Sequence, residues 1–260
     1  MEGSRRDFLK LAGLSALGLG AVPILASASK AAAQTFGDDA KALKGTHWAM
    51  VVDVSKCQDD CRDCIAACHE GHNVPALPPE KKRNEIKWIW HEEFENAFPE
   101  QAQAVAYLPE KLKGKPFEVL CNHCDNPPCV RVCPTKATFK SKENGIVLMD
   151  FHRCIGCRFC MAACPYGSRS FNWFDPRLYL AKTNSAYPTR AKGVVEKCNF
   201  CSEQLAIGNI PLCVRACKNE ALVFGDLDDP NSAVRKILRE RATIRRKPEL
   251  GTGPNVFYVI

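Results

Sequence analysis

Short apolar runs separated by turn-forming residues predict strands along this chain. Thr138 to Lys140 is one such run, Glu143-Asn144-Gly145 has the composition of a turn, and Ile146 to Asp150 is a second run that follows it. A strand, a glycine-containing turn and a returning strand form the pattern of a β-hairpin. The sequence therefore predicts a hairpin over residues 138–150.

Two further runs resemble the arms of this hairpin but lie far apart in the sequence. Trp48 to Asp53 lies in the first quarter of the chain, and Ala221 to Gly225 lies in the last quarter. The C-terminal tail has the pattern of a helix over 232–242 and then a strand-like run over 256–260. Short strands mixed with helices in this way predict the α+β class.

Sixteen cysteines among 260 residues change this picture, because they are clustered in four groups of four with none left over. The groups are, in chain order, Cys57, Cys61, Cys64 and Cys68; Cys121, Cys124, Cys129 and Cys133; Cys154, Cys157, Cys160 and Cys164; and Cys198, Cys201, Cys213 and Cys217. A disulfide framework need not be clustered in this way, whereas a set of four-ligand metal sites must be. The cysteines therefore predict metal centres.

The four groups alternate between two types, which indicates an internal duplication. The first and third groups each follow an apolar residue, Asp, two variable positions and a cation, and each ends in Cys-x-Ala-Ala-Cys. The second and fourth groups open with Cys-Asn-x-Cys and close with Cys-Val-Arg-x-Cys. An alternating order of this kind favours duplication of one two-motif unit.

The duplication predicts how the chain is arranged in space. The hairpin connects the second group to the third, so its equivalent strands, 48–53 and 221–225, should pair and bring the first group to the fourth. The predicted fold is α+β, with two interleaved ferredoxin-like dicluster modules and long loop inserts. The predicted boundaries are a signal peptide at 1–33, one discontinuous module at 48–68 and 194–228, a second module at 115–167, inserts at 69–114 and 168–193, and a tail at 229–260.

Spacing within the third group identifies the metal. Its pattern, Cys-x2-Cys-x2-Cys-x3-Cys-Pro, is the bacterial ferredoxin run, in which three thiolates hold one [4Fe–4S] cube and the fourth holds the neighbouring cube. Applying this crossover rule to all four groups predicts four [4Fe–4S] clusters. The ligand sets are Cys121, Cys124, Cys129 and Cys164; Cys154, Cys157, Cys160 and Cys133; Cys57, Cys61, Cys64 and Cys217; and Cys198, Cys201, Cys213 and Cys68.

Other interpretations of the cysteines and of the charge are disfavoured. Zinc ribbons use paired Cys-x2-Cys motifs, but the ferredoxin run does not suit them. Attached haem c needs Cys-x2-Cys-His, and the stretch from Cys64 to His69 has one residue too many. The formal charge of +7 is compensation for buried clusters rather than a nucleic-acid surface, because four clusters with their thiolates contribute roughly −8.

The N-terminus predicts export. Ser4-Arg5-Arg6-Asp7-Phe8-Leu9-Lys10 matches the twin-arginine signal, an apolar stretch over 11–28 follows, and small residues at 26–28 and 31–33 suit a signal peptidase. The alternative is a membrane anchor, although glycines, serines and a proline dilute this stretch. Because twin-arginine export carries folded proteins, it suits a cofactor that is assembled in the cytoplasm. The prediction is a periplasmic protein that is peripheral to the membrane.

Nearly the whole chain after the leader resembles the four-cluster ferredoxin-like subunits of the DMSO reductase, polysulfide reductase and formate-dependent nitrite reductase systems. The resemblance lies in the sixteen-cysteine layout and in the runs 121–135 and 154–160. The leader, the runs 86–90 and 167–173 and the tail 245–252 are similar to the periplasmic iron–sulfur subunit of the Dsr membrane complex of sulfur metabolism. This resemblance implies two partners, a quinone-reactive integral membrane subunit and a periplasmic multihaem cytochrome.

The predicted function is electron transfer without a catalytic residue. The chain would relay single electrons through its clusters between the membrane subunit and the periplasmic partner. One alternative is the iron–sulfur wire of a molybdopterin oxidoreductase; another, of a different class, is a free-standing iron–sulfur enzyme. That enzyme needs an open coordination site, which sixteen cysteines for four clusters do not leave. The histidines expected at the surface or behind the ligands, rather than on metal, are His72, His91, His123 and His152.

Overall fold

The computed structural model describes residues 42–104, 112 and 114–260. The twin-arginine leader and the rest of the predicted signal peptide, residues 1–33, lie outside this described part, as do a few residues of the first insert. Among the described residues, no helix is both long enough and apolar enough to cross a bilayer.

The described chain alternates short strands with short helices, so the α+β class predicted from the sequence is confirmed. Strands β1 to β10 are Trp48–Asp53, Ile89–Glu92, Phe117–Leu120, Thr138–Lys140, Val147–Met149, Ser170–Phe171, Val195–Glu196, Leu222–Asp226, Thr243–Ile244 and Val256–Val259. Helices α1 to α8 are Asp63–Gly71, Phe94–Ala97, Pro99–Ala104, Pro128–Arg131, Phe159–Ala162, Ser202–Ala206, Leu212–Ala216 and Ala233–Glu240. Short 3₁₀ helices are Val54–Lys56, Pro79–Asn84, Pro176–Tyr179 and Pro248–Leu250.

The largest sheet has the strand order β8-β1-β10-β9. β1 pairs antiparallel with β8, with Met50 opposite Phe224, so the two distant runs that the duplication predicted to pair are neighbours. On its other edge β1 pairs in parallel with β10, with Val52 opposite Tyr258. All six residues of β1 are buried. A central strand that is covered on both faces is expected to have a nearly continuous apolar sequence rather than an alternating one, and β1 has such a sequence.

The predicted hairpin between the second and third cysteine groups is also present. β4 and β5 pair antiparallel, with Thr138 opposite Met149 and Lys140 opposite Val147. The connecting turn passes through Gly145, whose φ of +73° lies in the left-handed region. Residues with a side chain rarely adopt that region, so glycine allows the tight return of the chain.

The helices that carry cysteines pack in two equivalent pairs. α1 packs against α7, and α4 packs against α5. In the duplicated unit α1 corresponds to α5 and α7 corresponds to α4, so the two contacts are the same contact repeated. The buried cysteines on these helices are Cys64, Cys68, Cys129, Cys160 and Cys213. Helix packing therefore brings the first group to the fourth and the second group to the third.

Both inserts, which the sequence predicted to be loops, contain paired strands. β2 in the first insert pairs with β3. β6 in the second insert pairs with β7, with Phe171 opposite Val195. Each strand is short and pairs with a partner outside its own insert, so no local hairpin pattern was available to predict it.

The C-terminal tail completes the core, and its predicted helix and strand are confirmed. α8 begins after Ser232, whose Oγ accepts a hydrogen bond from the Arg235 backbone N–H at 3.2 Å, which is a favourable helix N-cap. Val234 of α8 is buried in one hydrophobic cluster with residues of β1 and β10. On the opposite side, the Tyr258 ring lies edge-on to Phe98, with 5.1 Å between the ring centroids.

Candidate metal centres

One complete predicted set of cysteines surrounds a single cavity. Cys121, Cys124, Cys129 and Cys164 all line it, and the other lining residues include prolines, Tyr166 and Arg169 but no carboxylate. Burial is the largest cause that raises the pKa of Cys124 to about 12, and the negative charges of Cys121 and Cys164 contribute to the same rise. A donor set of sulfur alone with a guanidinium beside it fits an iron–sulfur cluster and does not fit a hard cation.

The fourth group meets Cys68 of the first group. Burial is the largest cause of the raised pKa of the Cys68 thiol, and the charges of Cys198, Cys213 and Cys201 follow. All four of these cysteines are buried. Cys68 is therefore a close neighbour of the three fourth-group cysteines, which is the neighbourhood that crossover ligation requires.

The first group lies beside Cys217 and opens to solvent. The pKa of Cys64 is raised to about 12, with burial as the largest cause and the charges of Glu118 and Cys217 as the next two. Cys57 and Cys61 line an open cavity whose rim carries acidic side chains and Lys218. On the inner side, the Cys57 Sγ donates a hydrogen bond to the Glu118 carboxylate over 2.7 Å. This site combines a solvent-facing rim with a buried acidic neighbour.

The third group has the most exposed cysteine, Cys157. Burial raises the pKa of Cys160 and the charge of Arg169 opposes that rise, while the charges of Cys129 and Cys154 add to it. The described hydrogen-bond contacts of the Cys133 sulfur are with Thr135 and Thr138 rather than with a cysteine. The second and third groups are thus neighbours, and Cys133 as the fourth ligand of the third set stays a prediction.

Backbone amides donate hydrogen bonds to several of these sulfurs. The donor–sulfur pairs are Phe200 N to Cys198 at 3.4 Å, Leu212 N to Cys201 at 3.3 Å, Ala221 N to Cys217 at 3.2 Å and Thr138 N to Cys133 at 3.5 Å. At Cys133 burial alone would raise the pKa, but the hydrogen bonds outweigh burial and lower it. N–H donors favour the thiolate and tune the potential of a bound cluster, so these residues fit iron–sulfur ligation.

Glycine is required at one point of the third group. Gly156 has a φ of +71°, and a Cβ placed there would lie 2.4 Å from the Gly193 carbonyl oxygen. That separation is well below any normal contact, and the atom it meets is backbone. The loop between Cys154 and Cys157 can therefore approach the segment before β7 only if residue 156 has no side chain.

Two of the histidines lie buried behind the cysteines, and His152 is exposed. The His72 Nδ1 is 2.8 Å from the Cys68 carbonyl oxygen, and its Nε2 is 2.9 Å from a Glu203 carboxylate oxygen. Ligand atoms of His72, Cys201 and Glu203 all lie within 4.8 Å of one another. Because Cys201 belongs to a predicted cluster set, this trio lines that site and is not a separate one. The four-residue spacing of Cys68 and His72 is compatible with this contact, but it does not identify Glu203 as the partner.

A buried ion pair that the sequence did not signal ties both inserts to β7. The Arg190 Nη2 lies 2.6 Å from the Glu196 Oε2, and both side chains are fully buried. Glu196 also accepts hydrogen bonds from the Trp88 indole N–H at 2.8 Å and from the Asn172 amide. Arg190 donates to the Asn73 carbonyl oxygen at 2.6 Å. Since Arg and Glu are usually exposed, composition and pattern gave no reason to place them in the interior.

Comparison with known proteins agrees with this geometry. The family model described as "4Fe-4S dicluster domain" matches residues 113–178, which span the second and third cysteine groups. The Hdr-like menaquinol oxidoreductase iron-sulfur subunit 1 of Archaeoglobus fulgidus is 41% identical over 277 residues, covering 98% of this chain and 97% of that protein. The chain belongs to the family of iron–sulfur subunits of oxidoreductase complexes.

Other members of this iron–sulfur subunit family are also similar over most of their length. The menaquinone reductase iron-sulfur cluster-binding subunit of Nitratidesulfovibrio vulgaris is 36% identical over 234 residues, covering 82% of this chain and 88% of that protein. The arsenate respiratory reductase iron-sulfur subunit ArrB of Shewanella sp. is 38% identical over 242 residues, covering 81% and 94%. The predicted ferredoxin-like dicluster fold, the [4Fe–4S] chemistry and the electron-transfer role without catalysis are thereby confirmed for this chain.

Proposed function

We propose that this iron–sulfur subunit relays single electrons through four [4Fe–4S] clusters between a quinone-linked membrane subunit and a periplasmic multihaem cytochrome. The complex would be one of sulfur metabolism, with this chain as the DsrO subunit of a DsrMKJOP assembly. The observation that carries the proposal is the arrangement of sixteen cysteines, with none left over, in four neighbouring groups. The resemblance of the leader and tail to the Dsr subunit supports the choice of complex.

Burial of the cysteines supports a linear order of the proposed sites. The set with three first-group cysteines and the set with three third-group cysteines contain the half-buried and exposed thiols. The fourth-group set is buried throughout, and the second-group set has only Cys164 at intermediate exposure. Successive sets are also close enough for their charges to interact. Besides burial, the charge of Cys64 raises the pKa of Cys68, that of Cys121 raises the pKa of Cys198, and that of Cys129 raises the pKa of Cys160. The order is therefore first, fourth, second and third, with electrons entering and leaving at the two exposed ends.

The chain's own residues hold and insulate these sites. Each proposed cluster would be a one-electron carrier. The thiolates bind it, the backbone N–H groups of residues such as Phe200 and Leu212 stabilise the charge on sulfur, and the surrounding apolar core excludes water from the two inner sites. No side chain has to exchange a proton for an electron to pass.

The two exposed ends differ in chemistry, which supports two different partners. Around the third group, Ile155 and Phe159 are 67% and 59% exposed, and Trp173 is 42% exposed. The cavity at the first group is instead rimmed by charged residues, namely Asp59, Asp60 and Asp63 together with Lys115 and Lys218. Lys218 is paired with Asp63, so Asp59 and Asp60 are the acidic part of this rim. An exposed apolar patch marks a stable protein interface, whereas an acidic rim steers a basic, transient partner. The membrane subunit would cover the third-group end, and the cytochrome would dock at the first-group end.

Export through the twin-arginine pathway is the second part of the proposal. It would place the folded, cluster-loaded chain in the periplasm, associated with the membrane through its partner subunits. The signal lies outside the described residues, so the sequence Arg5-Arg6 and the apolar stretch behind it carry this part.

The test of the proposed function is isolation of the native complex without oxygen, followed by identification of its subunits. A multihaem cytochrome and a multi-spanning subunit should co-purify with this chain. A molybdopterin catalytic subunit in their place would establish the alternative wire function, which the likeness to the arsenate respiratory reductase iron-sulfur subunit favours. Isolation of the chain alone, with a substrate turned over by it, would refute both.

A further inference from the structure

Two buried aromatic rings are stacked where the second and fourth cysteine groups meet. The rings of His123 and Phe200 have centroids 3.7 Å apart and planes inclined by 18°. Each residue is 1% exposed. His123 lies between Cys121 and Cys124, and Phe200 lies between Cys198 and Cys201. The stack therefore joins two cysteine motifs that belong to different predicted modules.

The two rings occupy the same position of the duplicated motif. Both motifs read Cys-Asn-x-Cys, with His123 and Phe200 at x. Both residues have left-handed backbone conformations, with φ of 43° and 54°. That conformation is costly for a residue with a bulky ring, and such strain is retained where the surroundings impose it. The stack therefore joins equivalent positions of the two modules, and each module turns its ring at that position toward the other.

Contacts from both modules hold the rings in place. The His123 Nδ1 accepts a hydrogen bond from the Val147 backbone N–H at 3.2 Å. Lys197, the residue before Cys198, donates to the Val147 carbonyl oxygen and to the Cys198 carbonyl oxygen, the latter at 2.7 Å. On the far side, the Phe200 ring lies edge-on to Phe224, with 5.3 Å between centroids.

The junction is also where the two inner sets of thiols influence each other. After burial, the charge of Cys121 is the next cause of the raised pKa of Cys198. An electron that passes along the proposed chain of sites must cross between modules here. In that step one inner site is oxidised and the other is reduced by one electron, and no bond or proton is exchanged.

We propose that the His123–Phe200 stack is a positioning element that sets the separation of the two inner cluster sites and thereby the rate of electron exchange between the modules. The proposal rests on the proposed relay function. Rings in direct contact leave no space for water and fix the distance between the motifs that carry them. A side chain of similar volume that cannot stack does not hold the two motifs at this distance, so the motifs can shift or water can enter, and solvent exposure changes cluster potentials.

The test compares four variants with the full-length, anaerobically loaded protein. His123→Leu and Phe200→Leu keep apolar volume but remove the stacking, and the exchange His123→Phe with Phe200→His restores the stack in reversed order. Phe98→Ala is the control, because Phe98 is a fully buried ring packed on Phe94 and Tyr258. The readouts are iron content, thermal unfolding and the magnetic coupling between reduced clusters in electron paramagnetic resonance spectra.

Both leucine variants should bind full iron yet show altered magnetic coupling and several-fold slower redistribution of electrons after rapid partial reduction. The exchanged pair and Phe98→Ala should keep wild-type coupling, although Phe98→Ala melts at a lower temperature. Wild-type coupling in both leucine variants would overturn the proposal. Loss of iron from both leucine variants, while Phe98→Ala stays fully loaded, would also overturn it, because the stack would then be needed for cluster assembly rather than for electron exchange. A wild-type iron content near eight would instead refute the four-cluster function itself.

Discussion

Removing Arg190 is expected to be among the most destabilising single changes in this protein. The guanidinium lies 2.6 Å from the Glu196 carboxylate, and neither side chain is exposed. Arg190→Met keeps a long apolar stem but leaves the carboxylate charged and buried. It also leaves the Asn73 carbonyl oxygen without its 2.6 Å donor. The backbone carbonyl oxygens of His72 and Pro188 lose the same donor. This one substitution therefore leaves a buried charge without its counter-ion and three carbonyl groups without their arginine donor.

The magnitude follows from the burial of the pair. Breaking a buried ion pair by removing one partner costs about 3–5 kcal/mol. For a chain of this size each kcal/mol lowers the unfolding midpoint by about 2–4 °C, so the expected fall is about 6–20 °C. The double change Arg190→Met with Glu196→Gln should recover part of this loss. It removes the unpaired charge and keeps an acceptor for the Trp88 N–H, which now lies 2.8 Å from the carboxylate.

The assay is anaerobic thermal unfolding of the loaded protein by circular dichroism at a fixed scan rate, because cofactor loss makes the midpoint a kinetic quantity. The matched control is Arg177→Met, which breaks the pair of Arg177 with Asp175, where the arginine side chain is 58% exposed. The control should leave the midpoint unchanged. If Arg190→Met unfolds at the wild-type midpoint, or if the double variant is less stable than the single one, the reasoning about this network is wrong.

Three further predictions concern export, metal content and docking. Changing Arg5 and Arg6 together to Lys should leave folded, cluster-loaded protein in the cytoplasm, as measured by fractionation; normal export would disprove the twin-arginine signal. Protein isolated without oxygen should contain about sixteen irons and sixteen acid-labile sulfides, whereas stoichiometric zinc would refute the metal assignment. Asp59→Asn with Asp60→Asn should slow electron transfer to a basic cytochrome about 10-fold at low salt, while Glu143→Gln should not; equal rates in the two variants would exclude the acidic rim as the docking surface.

Most of the site could be predicted from the sequence because cysteine spacing is a local property with direct chemical meaning. The pairing of β1 with β8 could also be predicted, since Trp48–Asp53 and Leu222–Asp226 are equivalent to the two arms of a recognisable hairpin. The repeat thus supplied a long-range contact that propensity alone does not give. The first and fourth groups could be assigned to one module for the same reason.

What the sequence did not supply are contacts between segments that have no repeat partner. β10 pairs in parallel with β1 although about 200 residues separate the two strands in the sequence, and β2 pairs with β3 outside its own insert. Residues such as His72 and Arg190 are buried because specific partners satisfy them, and partner identity cannot be derived from composition or periodicity. The sequence pattern alone therefore supplies the candidate ligands, whereas the surroundings that hold them come only from the structure.

Crossover ligation is the central claim, and iron positions in crystals of the anaerobically isolated protein test it most directly. Anomalous scattering should show four cubes, with the Cys68 sulfur bonded to an iron of the cube that Cys198, Cys201 and Cys213 hold. Cys217 should bond the cube of the first group. The claim is contradicted if the Cys68 sulfur bonds the same cube as Cys57, because the ligand sets and the pairing of the first group with the fourth would then both be wrong.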